Sequence, residues 1–167
     1  AIAGIMISQY IGKKDRAAQE KSICVNLVTM LLAGGGFFWF SQCFARPFVL
    51  LFSKEAGVAA LGEEYLHIIG FSFLPLGISC ILGTALRCRK KPSWPLWAGL
   101  FSAAVNTALN YILIFGRLGA PALGVRGAAY ASVFSQVLAS LLLTGLFFRL
   151  YGRLSFSLAM GKAGLFQ

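Results

Sequence analysis

Four stretches of this sequence run for more than twenty residues without an acidic or basic side chain, apart from one histidine. Lys21 and Arg46 bracket 24 such residues, and Glu64 and Arg87 bracket 22, among them His67. Lys91 and Arg117 bracket 25, and Arg126 and Arg149 bracket 22. A helix rises about 1.5 Å per residue and needs roughly 20 apolar residues to cross the hydrocarbon core of a bilayer. Each stretch is therefore long enough to span. Ala1–Gly12 is also uncharged but too short, and it reads as the end of a helix whose beginning is missing. No basic segment with a small-residue cleavage site suggests a signal peptide.

Composition supports the membrane reading. Only 12% of the residues are charged and 58% are hydrophobic, with a mean hydropathy of +0.77. Soluble domains carry roughly 25% charged residues. A soluble chain of this length could not hide so much apolar surface, because much of a small domain stays exposed.

A net charge of +10 is also a feature of nucleic-acid binders. The placement of the cations argues otherwise, since they fall in the connectors between apolar spans. The segments 13–21, 87–91 and 149–167 hold eleven of the 15 Lys and Arg residues, and the alternate connectors hold Arg46, Lys54, Arg117 and Arg126. Basic residues concentrate on the cytoplasmic side of membrane proteins. The asymmetry places 13–21, 87–91 and 149–167 in the cytoplasm and implies the lipid bilayer, not nucleic acid, as partner.

The expected architecture is all-α, a polytopic transmembrane bundle in one membrane domain over 1–167. Helices are expected near 22–44, 65–86, 95–115 and 127–150, with the end of another at 1–11. Pro75 should kink the second span by removing a backbone hydrogen bond. Pro95 fits the first turn of the third. Gly34-Gly35-Gly36 reads as a site of close helix packing, because no P-loop Lys-Ser/Thr follows it. Trp39, Trp94 and Trp97 suit interface anchoring. The stretch Leu154–Met160 could lie along the interface.

Polar side chains are costly inside a bilayer, so their arrangement carries the functional signal. Ser102, Asn106 and Asn110 recur every four residues and share one face of the third span. Ser132, Ser135, Gln136 and Ser140 form a comparable stripe in the fourth. Gly127, Ala131 and Ser135 add a small-residue seam of the kind that lets helices approach closely. Two readings of the asparagines compete: hydrogen bonds between helices, worth about 0.6–2 kcal/mol each, or the wall of a water-filled substrate cavity. An enzyme embedded in the membrane is the weak alternative. The chain has one His, all five acids lie in connectors, and the four cysteines lack metal-ligand spacing. No cofactor or metal is implied.

The run Asn106-Thr107-Ala108-Leu109-Asn110-Tyr111-Ile112-Leu113-Ile114-Phe115-Gly116 resembles the fifth helix of multidrug and toxic compound extrusion (MATE) transporters. Its continuation Leu118-Gly119-Ala120-Pro121-Ala122-Leu123-Gly124-Val125-Arg126-Gly127-Ala128-Ala129 is similar to their next turn and helix start. Gly83-Thr84-Ala85-Leu86-Arg87 followed by Pro92 resembles the connector between helices four and five, and Ser8-Gln9-Tyr10-Ile11-Gly12-Lys13-Lys14-Asp15 the end of helix two. The resemblance implies part of the six-helix N-terminal lobe of a MATE-like transporter in the cell (inner or plasma) membrane. Such a protein is a secondary antiporter that exports small organic compounds, by expectation cationic, in exchange for H⁺ or Na⁺ by alternating access. The remainder of the same transporter is an implied partner. Carried over by position, Asn106 matches an asparagine facing the lobe's cavity, and Asn110 a position where some members have a proton-coupling Asp. An amide cannot carry a proton near neutral pH. Ser102, Asn106, Asn110 and Gln136 are the expected substrate-cavity residues. A lipid or lipid-linked oligosaccharide flippase of the same superfamily is the alternative. It would line its cavity with cations, and no Arg or Lys is expected inside a span.

Overall fold

A computed structural model describes residues 2–13, 15–119 and 121–151. Among the described residues the chain forms seven α-helices and no strand: α1 (Ile2–Gly12), α2 (Arg16–Cys43), α3 (Ala45–Leu50), α4 (Ala56–Ile69), α5 (Phe73–Cys88), α6 (Ser93–Phe115) and α7 (Val125–Tyr151). A single 3₁₀ turn, Gly70–Ser72, joins α4 to α5. Four continuous segments, Ala17–Cys43, Ala56–Cys88, Ser93–Phe115 and Val125–Tyr151, are long and apolar enough to cross a membrane. The protein is a multi-pass helical membrane protein. The stretch Leu154–Met160 lies outside the described residues.

Helix ends follow local chemistry, and two extend past the charge-free stretches. The first long helix begins at Arg16, not near 22, because Asp15 caps it: its carboxylate accepts the Ala18 N–H at 3.0 Å. A side chain that satisfies one of the four orphan N–H groups of a first turn is enough to carry a helix into charged sequence. The second begins at Ala56, so most of the expected connector 46–64 is helical, split between α3 and the start of α4. Pro75 is the third residue of α5, and the 3₁₀ turn lies directly ahead of it. A proline ring crowds the carbonyl four residues back. Here that residue is Phe71, inside the turn, so the break in α-helical geometry falls where the proline puts it. Pro95 sits within the first turn of α6, and Gly116 closes that helix in the left-handed conformation at φ 66°. Glycine carries no Cβ penalty there.

The helix α5 lies between α2 and α7, and α6 packs chiefly on α7. A core of Ile7, Ile23, Ile81, Leu82, Leu86, Leu143 and Phe147 ties α1, α2, α5 and α7 together. The α6–α7 contact is closest where the seam was expected: Gly127, Ala131 and Ser135 are all buried. A Cβ built on Gly127 would stand 2.7 Å from the Leu113 carbonyl oxygen. Of the three consecutive glycines, only Gly34 meets a neighbour, the Phe73 carbonyl, while Gly35 and Gly36 face open space. The outward face is apolar, with Leu32, Trp39, Trp97, Phe134 and Leu141 all exposed, which suits contact with lipid.

The two ends of the bundle differ in chemistry. At one end Arg89, in the connector after α5, reaches Gln19 of α2 (3.5 Å) and stacks its guanidinium on Tyr151 (4.2 Å to the ring centre) and Phe147 (5.6 Å) of α7. At the other end Glu64 of α4 takes a bidentate ion pair from Arg126 of α7. There, too, the His67 carbonyl accepts a hydrogen bond from Gln42 at 2.9 Å. The segments the charge pattern groups on one side thus meet one another, and so do two from the opposite side.

Candidate functional site

The polar faces of α6 and α7 meet in the apolar bundle. Ser102 Oγ donates to the Ser135 carbonyl at 2.8 Å, and Asn106 Nδ2 donates to Ser135 Oγ at 3.2 Å, with Ser132 Oγ 3.5 Å away. Ser135 Oγ in turn donates to the Ser132 carbonyl at 3.0 Å. Asn110 Nδ2 donates to Asn106 Oδ1 at 3.0 Å. The four-residue spacing on α6 makes this chain possible, because it stacks three polar side chains on one helical face. The small residues of α7 let that face approach closely. Each contact of this kind contributes about 0.6–2 kcal/mol in a membrane.

A cavity of about 570 Å³ opens beside this chain, between α5, α6 and α7. Ser102, Asn106 and Gln136 line it, together with Ser79, Ser132 and Ser135. Leu76, Pro95, Ala139 and Leu143 supply apolar wall. Asn110 does not line it. It stands one hydrogen bond behind Asn106, and its Oδ1 is buried without a hydrogen-bond partner among the described residues. Asn106 thus bridges two helices and also borders open space, whereas Asn110 bonds to Asn106 away from the cavity.

Two lining residues escaped the sequence reading. Ser79 on α5 has a buried hydroxyl oxygen with no hydrogen-bond partner among the described residues, and Arg87 sits near the end of the same helix. With Gly83 they recur every four residues and make α5 the third wall. Their spacing was visible, but a lone serine and a glycine at that period look like ordinary packing. The expected end of the second span needs correction. The helix α5 runs on to Cys88, so Arg87 belongs to the helix and not to the connector. Cys88, expected in the connector, is the last residue of α5 and half-buried, its Sγ directed at the Gly4 carbonyl at 3.5 Å.

Among the described residues no three His, Cys, Asp or Glu side chains gather as a metal site would require. The arrangement is dipolar: hydroxyls, amides and one guanidinium around a cavity in an apolar helical bundle. A bundle and site of this kind define a polytopic membrane protein with a partly polar cavity between its helices. The sequence model of the MatE family matches residues 3–112, and the chain belongs to that family.

Relatives agree. The chain is 32% identical over 143 residues to the probable multidrug resistance protein NorM of Rhizobium meliloti, an alignment covering 84% of this chain and 30% of that protein. It is 27% identical over 148 residues to the protein of the same description from Thermotoga maritima, covering 88% of this chain and 32% of that one. In fold it is similar to a solved inward-facing multidrug resistance MATE family transporter of the MOP superfamily. The TM-score is 0.79 at 19% identity, over 90% of this chain and 33% of the other. The chain thus spans about a third of the length of these relatives.

Proposed function

We propose that this chain is part of the N-terminal lobe of a secondary active transporter that exports organic, cationic compounds in exchange for H⁺ or Na⁺ by alternating access. The remainder of the protein supplies the second lobe, and the whole resides in the inner or plasma membrane with 13–21, 87–91 and 149–167 facing the cytoplasm. The observation that carries this reading is the cavity walled by Ser102, Asn106 and Gln136 within an otherwise apolar bundle. Apolar surface with a few fixed dipoles accepts many molecular shapes, as a multidrug site requires. Asn110 supports the site by orienting the Asn106 amide. Its own amide cannot exchange a proton near neutral pH, so coupling to the ion depends on groups elsewhere in the transporter.

The test is reconstitution of the full-length transporter in liposomes, with a cationic dye inside and an imposed H⁺ or Na⁺ gradient. Dye movement driven by one of those gradients is the expected result. Dye movement that neither gradient alters would contradict antiport.

One observation favours the flippase alternative, namely Arg87 in the cavity wall, because a lipid headgroup carries phosphate. Flip of a fluorescent phospholipid by the same liposomes, without dye export, would establish it.

A further inference from the structure

Arg89 draws three parts of the chain to one end of the bundle: the start of α2 through Gln19, its own connector after α5, and the end of α7 through Tyr151. Other cations on and beside those parts are free of such ties. Lys13, Lys21, Lys90, Lys91 and Arg149 are all exposed, and among the described residues none of them forms an ion pair. Two acids stand at this end, Asp15 and Glu20. The Asp15 carboxylate is engaged in capping α2, and Glu20 is half-buried. The opposite end is close to balance. There Arg46, Lys54, Arg117 and Arg126 stand with Glu55, Glu63 and Glu64, and Arg126 is paired with Glu64. One end of the bundle therefore presents a positive surface that its own acids do not neutralise.

That surface lies at the rim of the apolar spans. Trp94 and Trp97 follow the Arg89 connector directly, at the start of α6, and are 40% and 67% exposed. Tryptophan in such a place marks the depth of the lipid headgroups. Lysine and arginine lay their stems along apolar surface and hold their charge at the same depth.

Lys90 occupies a special place. The helix α5 closes in a Schellman turn, in which the Lys90 N–H donates to the Arg87 carbonyl at 3.1 Å and the Lys91 N–H to the Leu86 carbonyl at 3.0 Å. The turn holds Lys90 in the left-handed conformation, at φ 59°. Glycine takes that conformation without a Cβ penalty, and lysine does not. Among the described residues the Lys90 ammonium has no ion-pair partner that would offset the strain.

We propose that this end of the bundle is a docking surface for anionic phospholipid headgroups, bound by Lys13, Lys21, Lys90, Lys91 and Arg149. Charge complementarity selects the lipid: clustered cations beside a membrane span attract anionic headgroups and gain little from zwitterionic ones. The inference rests on the membrane reading alone. Dye export from liposomes decides the transporter reading separately.

Thermal unfolding of the full-length protein in mixed micelles tests it, with phosphatidylglycerol compared with phosphatidylcholine of the same acyl chains. A ligand that binds the folded state raises the melting temperature. Phosphatidylglycerol should raise it by several degrees more than phosphatidylcholine, and high salt should shrink that gap. The triple variant Lys13→Gln, Lys90→Gly, Lys91→Gln should lose most of the gap. The triple variant Arg46→Gln, Lys54→Gln, Arg117→Gln, which removes as many charges from the other end, should keep it. Lys90→Gly alone relieves backbone strain, so it should hold or raise the melting temperature in phosphatidylcholine and still narrow the gap. That single variant decides the matter where the first triple variant fails to fold. Equal stabilisation by the two lipids overturns the proposal, and so does a full gap in Lys90→Gly and the first triple variant. An equal shift from inorganic phosphate at the same concentration would show that a soluble oxyanion suffices, and would overturn the lipid as the partner.

Discussion

Asn106 on α6 donates to the hydroxyl of Ser135 on α7 at 3.2 Å while bordering the cavity between those helices and α5. One amide thus both fastens two helices and faces the space a solute could enter. Gln136, one residue further along α7, borders the same cavity without belonging to the Ser102–Asn106–Ser135 chain. The pair makes it possible to separate packing from recognition by substitution.

Close approach of α6 and α7 depends on Gly127. A side chain there would meet the Leu113 carbonyl, which is backbone and cannot swing aside. Gly127→Val should cost about 1–3 kcal/mol and lower the melting temperature of the purified full-length protein by several degrees. Gly35→Ala, inside α2 at a position open to space, should keep or slightly raise it. Thermal unfolding followed by fluorescence-detected gel filtration measures both.

Arg89 ties together the ends of α2 and α7 that carry the basic segments, through Gln19 and the Tyr151 ring. Lysine cannot reproduce a stacked planar guanidinium. Arg89→Lys should therefore be destabilising by about 0.5–2 kcal/mol, and Tyr151→Leu should remove a similar amount. The double variant should cost less than the sum of the two, as read in a double-mutant cycle of melting curves.

Glu64 and Arg126 pair at the opposite end of the bundle. Both side chains are substantially exposed to solvent, so high salt and lipid headgroups compete with the pair. Glu64→Gln should change stability little. Cysteine at 64 or at 126, introduced singly in a cysteine-free full-length protein, should react in intact cells with membrane-impermeant thiol reagents. Protection of both in intact cells would reverse the topology.

The complementary probe is Lys91→Cys. Lys91 is exposed in the connector, whereas Cys88 is half-buried against α1 and suits labelling poorly. Cysteine at 91 should be labelled only in inside-out vesicles. Labelling in intact cells would place the basic connectors outside.

The spans were legible in the sequence because a bilayer imposes length and low charge on every crossing helix. Their ends were less so. Asp15 draws α2 back into charged sequence, and α4 runs from the amphipathic stretch at Ala56 straight on into the apolar span. Those are effects of local hydrogen bonding and amphipathic packing, which charge-free length does not register. Within the site, Ser102, Asn106 and Gln136 were legible as costly polar residues in apolar helices. Asn110 shares the period of Ser102 and Asn106 but sits a turn beyond the cavity, and periodicity alone cannot tell front from back along a helix. Arg87 was hidden by its place beside a basic connector, since only the fold puts it in the last turn of α5 and among the residues that line the cavity.

Transport per folded molecule of the full-length protein, with Gln136→Leu and Asn106→Leu compared in the same liposomes, tests the central claim most directly. Gln136→Leu should keep yield and melting temperature and yet lower the rate or change the range of exported dyes, by about ten-fold for the most affected compound. Asn106→Leu should do the same and also lose stability, because it removes the bond to Ser135. If both variants export every dye at the unaltered rate per folded molecule, the cavity is packing space and the account is wrong.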